Sequence, residues 1–87
     1  MVSGNTLTVC KSCEFTSIKE AIFQAEDFDT ILVKYGNYKE YDIIIDKPLT
    51  LLGEDLPVID GELKGEIIRI TADNVTVDGF FVINVGV

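Results

Sequence analysis

Two stretches of the chain share one pattern 26 positions apart, and that constrains the fold more than anything else in it. Pro48 Leu49 Thr50 Leu51 Leu52 Gly53 aligns with Asn74 Val75 Thr76 Val77 Asp78 Gly79, so that aliphatic, Thr, aliphatic, any, Gly stays in register. Ile45 with Asp46 precedes the first copy much as Ile70 with Thr71 precedes the second, and residues 43 to 45 match 67 to 70 at an offset of 24. A period of 24 to 26 residues, made of short Ile-, Val- and Leu-rich runs, suits one coil of a solenoid. Successive coils then stack at about 4.8 Å with equivalent side chains superposed. Thr50 is expected over Thr76, and Leu51 over Val77.

The strand segments are Thr6–Val9, Thr30–Lys34, Asp42–Asp46, Leu49–Leu52, Val58–Asp60, Ile67–Thr71, Val75–Asp78 and Phe81–Asn84. Breaks fall at Gly36, Asn37, Pro48, Gly53, Pro57, Gly61, Gly65, Asp73, Asn74 and Gly79, and no Asn-Gly hairpin signal links the strands. Only one segment has helical periodicity. Ile18, Ala21, Ile22 and Ala25 share a face, Ser17 and Glu20 have capping-box spacing, and a helix is expected from about Thr16 to Glu26. A small α+β sandwich would use the same aliphatic alternation. The helix decides for the solenoid, because a coil stack has an open end whose apolar interior an amphipathic helix can cover. The fold class expected is mainly β: a right-handed parallel β-helix with an N-terminal cap helix and two to three coils. Residues 1–28 form the strand and cap, and residues 29–87 the coils.

Charge and composition narrow the function classes. At 47% hydrophobic residues the chain is too apolar for disorder, and its net charge of −8 repels phosphate backbones, which argues against nucleic acid. Apolar runs reach only three or four residues, far short of the ~20 that a membrane-spanning helix needs. With no histidine, the commonest general base is missing. The opening Met1 Val2 Ser3 Gly4 Asn5 lacks the basic and apolar regions of a signal peptide. It fits either a cytosolic protein or the mature part of an exported one behind a new methionine.

Ser17–Ile22, Asp29 Thr30 Ile31 Leu32 Val33 and Gly36 Asn37 Tyr38 Lys39 Glu40 resemble the opening of pectin-lyase-like parallel β-helix proteins. There, a helix leads to "Asp-Thr-aliphatic" and then to "Gly-x-Tyr-x-Glu". Lys47–Glu54, Val58 Ile59 Asp60 Gly61 and Asp73–Phe80 are similar to the NosD branch, and Val9–Cys13 looks like a variant of it. The resemblance runs over nearly the whole chain. It implies a non-enzymatic periplasmic accessory protein that works with an ABC transporter to supply the copper-sulfur cluster of nitrous oxide reductase. Members are several times longer, so the chain would correspond to the cap and first coils. A carbohydrate-active β-helix enzyme and a β-helical surface adhesin are the alternatives.

Cys10 and Cys13 are the only cysteines. In an oxidising compartment the Cys-x-x-Cys spacing closes a disulfide, the favoured reading; in a reducing one it is a redox pair or a two-thiolate contact for Cu(I). Two ligands do not complete a structural zinc site. Asp60 and Asp78 are the candidates for a sugar-cleaving carboxylate pair, but aspartate before glycine is more often a turn residue. Glu54, Asp55 and Glu62 read as solvated turn charges. Tyr35, Tyr38 and Tyr41 could stack on sugars, although packing over the first coil is favoured. Asn74 reads as an inward corner asparagine serving backbone groups. The last coil carries no capping helix, and self-association is expected there, as a two-fold dimer through Val75–Val77 and Phe81–Val85.

Overall fold

A computed structural model describes residues 4–86. Strand β1 (Thr6–Val9) leads to helix α1 (Ile18–Gln24), after which the chain is all strand. A first coil comprises β2 (Thr30–Val33), β3 (Asn37–Lys39) and β4 (Ile43–Ile45). The second comprises β5 (Thr50–Gly53), β6 (Val58–Asp60) and β7 (Ile68–Ile70), and β8 (Thr76–Asp78) with β9 (Phe81–Ile83) begins a third. Every pairing is parallel and joins equivalent strands of successive coils, giving three sheets in the orders β1-β2-β5-β8, β3-β6-β9 and β4-β7. The protein is a parallel β-helix of about three turns.

Register follows the repeat. Thr50 pairs with Thr76 and Leu51 with Val77. The same column extends backwards through Thr30 to Thr6, so four threonines stand in one row at spacings of 24, 20 and 26 residues. The 20-residue coil lies outside the expected period. Its β3–β4 connection is three residues, whereas the matching β6–β7 connection runs from 61 to 67. Turns absorb length without moving the strands. In the third sheet the true offset is 25, Ile43 on Ile68 and Ile45 on Ile70, one residue from the expected 24. Asn37, taken as a break, begins β3, whose single inward side chain is the buried Tyr38.

The interior is filled by Ile31, Val33, Ile43, Ile45, Leu51 and Ile59, all fully buried. Burying each such aliphatic side chain stabilises the fold by roughly 1.5–3 kcal/mol. The repeat's glycines have a steric cause. Gly53 and Gly79 stack so closely that a Cβ on either would collide with the other's backbone, and Gly79 also has φ +87°. Asn74 is exposed with φ +62°, so it turns a corner by adopting the left-handed region rather than by pointing its amide inward.

Candidate functional site

The densest set of polar contacts surrounds the cap. Helix α1 is shorter than expected, with Ser17 as N-cap and Ala25 as C-cap. Ser17 Oγ accepts from the Glu20 amide at 3.3 Å, as a capping box requires. The first two helical amides are met from elsewhere in the chain. The carboxylate of Glu40, just past β3, accepts from the Ile18 amide at 2.7 Å, the Lys19 amide at 3.0 Å and the Ser17 hydroxyl at 3.2 Å. At the opposite end, Lys47 Nζ donates to the carbonyls of Ile22 (3.0 Å) and Ala25 (2.7 Å). An anion therefore sits at the helix N-terminus and a cation at its C-terminus, both matched to the helix dipole and both contributed by the first coil.

Asp29 is the buried acidic residue, 3% exposed. Its two oxygens accept from the Asn5 amide (2.9 Å) and the Glu26 amide (2.8 Å), tying the chain before β1 and after α1 to the start of the first coil. The Tyr38 hydroxyl donates to the Lys34 carbonyl at 2.7 Å and lies 3.4 Å from that of Val9. Burial, assisted by the negative charge of Glu40, raises its pKa above the ordinary tyrosine value. A raised pKa means stability fully present below about pH 10 and lost as pH rises through the folded-state value. Tyr38→Phe should cost about 1 kcal/mol at neutral pH for the lost hydrogen bond. It should also unfold with a shallower alkaline loss, read from urea midpoints at pH 8 and pH 11. Equal alkaline slopes in both proteins would contradict that role.

Cys10 and Cys13 are joined by a disulfide with Cα atoms 4.9 Å apart, in the turn that follows β1. The Cys10 amide donates to the Phe15 carbonyl, and Phe15 bridges to Val9, so the clasp lies between strand and helix. As a disulfide the pair offers no thiolate to copper. Among the described residues no group of three or more His, Cys, Asp or Glu side chains could hold a metal ion. Because the closed loop is so short, replacing both cysteines by serine should lower stability by no more than about 2 kcal/mol and leave the fold intact. Two alkylatable thiols in protein isolated from an oxidising compartment would overturn the pairing.

The two carboxylates weighed for sugar chemistry take separate places in the fold. Asp60 and Asp78 lie in different sheets. Asp60 accepts from Asn84 Nδ2 and from the Glu62 amide, both at 2.9 Å, and these bonds lower its pKa below the ordinary carboxylate range. It acts as a turn residue. Glu54, Asp55 and Glu62 are exposed, Glu54 facing Lys34 across 3.7 Å. The tyrosines divide. Tyr38 packs as expected; Tyr41 lies beneath Lys19 and Lys64, 5.4 and 5.7 Å from its centroid. Tyr35 is 73% exposed, contrary to the packing role, and lines a groove of about 650 Å³ with Lys11, Thr16 and Asn37.

What sequence reasoning missed were the long-range caps, Glu40 and Lys47, and the buried tie at Asp29. The signal was present: "Asp-Thr-aliphatic", "Gly-x-Tyr-x-Glu" and the lysine before Pro48 are the motifs that carry the family resemblance, and their polar members assemble the N-terminal cap. Among the described residues no helix is long and apolar enough to cross a membrane. No protein-family model matches the chain, and no curated protein or solved structure is significantly similar to it.

Proposed function

We propose that this chain is a non-enzymatic β-helical accessory module that acts by presenting surface to partner proteins in an oxidising compartment. The observation that carries the reading is the use of its polar groups: Asp29, Tyr38, Glu40, Lys47 and Asp60 are all engaged in holding backbone or helix ends. The disulfide supports an extracytoplasmic site of action such as the periplasm. The NosD-like motifs select the partners to try first, nitrous oxide reductase and the subunits of an ABC transporter. In that setting copper is cargo handled by partners.

A second reading, sugar binding, is favoured by the exposed Tyr35 beside Asn37 and Lys11. One set of measurements separates the two. Purified chain is mixed with copper-depleted nitrous oxide reductase and followed by sedimentation velocity, while parallel samples receive oligouronates and, separately, Cu(I). The accessory reading expects co-sedimentation, no unsaturated or reducing product, and no stoichiometric Cu(I) uptake by the disulfide form. Product release would overturn the non-enzymatic reading. Absence of co-sedimentation would remove these partners, and saccharide binding that is lost in Tyr35→Ala would transfer the function to the groove.

A further inference from the structure

The Cys10–Cys13 disulfide closes a turn that the backbone already closes. Its cysteines are three positions apart, and the Cys13 amide donates to the Cys10 carbonyl at 3.2 Å. Both sides of the turn are anchored without sulfur. Before it, β1 pairs with β2 as far as Val9, whose carbonyl accepts from the Lys34 amide at 2.9 Å; beyond it, the Phe15 carbonyl accepts from the Cys10 amide at 3.1 Å. A covalent link of so short a span removes little entropy from the unfolded chain, so the gain in stability is a weak reason for the bond. Its surroundings suit breaking and remaking it. Both cysteines are half-buried rather than sealed in the core, and Lys11 and Ser12 between them are exposed. Ser12 Oγ lies 3.7 Å from Cys10 Sγ, to which its hydroxyl can donate. Lys11 brings a positive charge to the turn and also lines the groove beside Tyr35, where a partner chain has room to approach. Glu14 follows Cys13 directly, so negative charge on a departing sulfur is better placed at Cys10 than at Cys13.

We propose that this turn is a thiol–disulfide exchange site, which passes its disulfide to a dithiol on a partner polypeptide. The inference rests on the oxidising compartment proposed above and not on the identity of the partners. A partner thiolate attacks the Cys13 sulfur, the Cys10–Cys13 bond breaks, and Cys10 leaves as the thiolate, giving a mixed disulfide between Cys13 and the partner. The partner's second thiolate then attacks its own sulfur in that mixed disulfide and displaces Cys13. Two electrons pass to the chain, and the two protons of the dithiol end on Cys10 and Cys13. The partner leaves oxidised and the chain reduced, one for one, so the module acts stoichiometrically. Because the backbone holds the turn, the reduced form keeps the fold.

Oxidised chain is mixed with an equal amount of a reduced synthetic peptide carrying two cysteines, and samples are quenched, alkylated and weighed. The peptide should be oxidised about tenfold faster than by the same concentration of oxidised glutathione, with one pair of thiols appearing on the chain for each pair lost. Cleavage after Lys11 separates the two cysteines, and the quenched intermediate should carry the peptide on Cys13. Ser12→Ala, at an exposed position, should slow the exchange about threefold while the melt followed by circular dichroism is unchanged. The fully reduced chain should still melt cooperatively. A disulfide that stays closed against the peptide, a rate no greater than that of glutathione, or a reduced chain with no cooperative melt would make the bond structural and overturn the proposal. Peptide found on Cys10, or an unchanged rate in Ser12→Ala, would overturn the order of steps. Each of these failures leaves the accessory reading standing, whereas free thiols in protein isolated from an oxidising compartment would remove the ground that both share.

Discussion

Ile18→Asp should leave the chain unfolded at room temperature, with no cooperative transition in a circular dichroism melt. Ile18 is 0% exposed, on the face of α1 that closes the first coil. A carboxylate there has no partner, and burying it costs several kcal/mol, comparable with the whole stability of a domain this small. Nor is a retreat to solvent open to the helix, since Glu40 and Lys47 hold its two ends to the coil. Ile18→Val, which removes one methylene, should cost only about 0.5–1.5 kcal/mol and melt cooperatively. If the aspartate variant melts within a degree or two of the parent, the helix is not the seal.

The contrast between Glu20 and Glu40 shows where the sequence was legible. Ser17 with Glu20 is a local pattern, and the half of it that depends on neighbouring backbone formed as expected. The Ile18 amide found its carboxylate 22 positions on, because the coil returns Glu40 to the helix start; nothing in a four-residue window encodes that return. Likewise the Thr50 and Thr76 pairing was visible because both copies end in a glycine forced by the same close approach. Its extension to Thr6 and Thr30 was hidden by turns of unequal length. Strand β3 escaped notice because three residues with one inward tyrosine make no periodicity, only half a turn's worth of alternation. As for the candidate site, composition could name Cys10, Cys13, Asp60 and Tyr38, but not assign them. Their roles depend on which backbone groups the coils bring within reach.

Removal of the Asp29 carboxylate is expected to have the next largest effect, and its size should depend on how many acceptors remain. In the native chain one oxygen serves the Asn5 amide and the other the Glu26 amide, so a single buried side chain ties three segments that meet nowhere else by side-chain hydrogen bonds. Asp29→Ala leaves both amides without that partner. At about 0.5–1.5 kcal/mol for each of the two partly buried hydrogen bonds, the loss is about 1–3 kcal/mol, a large fraction of a small domain's stability. Asp29→Asn keeps one carbonyl oxygen and replaces the other acceptor with an amide that can only donate. It can satisfy one of the two backbone donors and turns its NH₂ group on the other, so it should fall between the parent and the alanine variant. The main-chain bonds of residue 29, from its amide to Glu26 and from Thr50 to its carbonyl, survive either change, which keeps the comparison to the side chain. Urea unfolding at pH 7 reads the order directly. Equal midpoints for alanine and asparagine would mean that only one of the two amide bonds contributes, and midpoints equal to the parent's would show that the cap is held without Asp29.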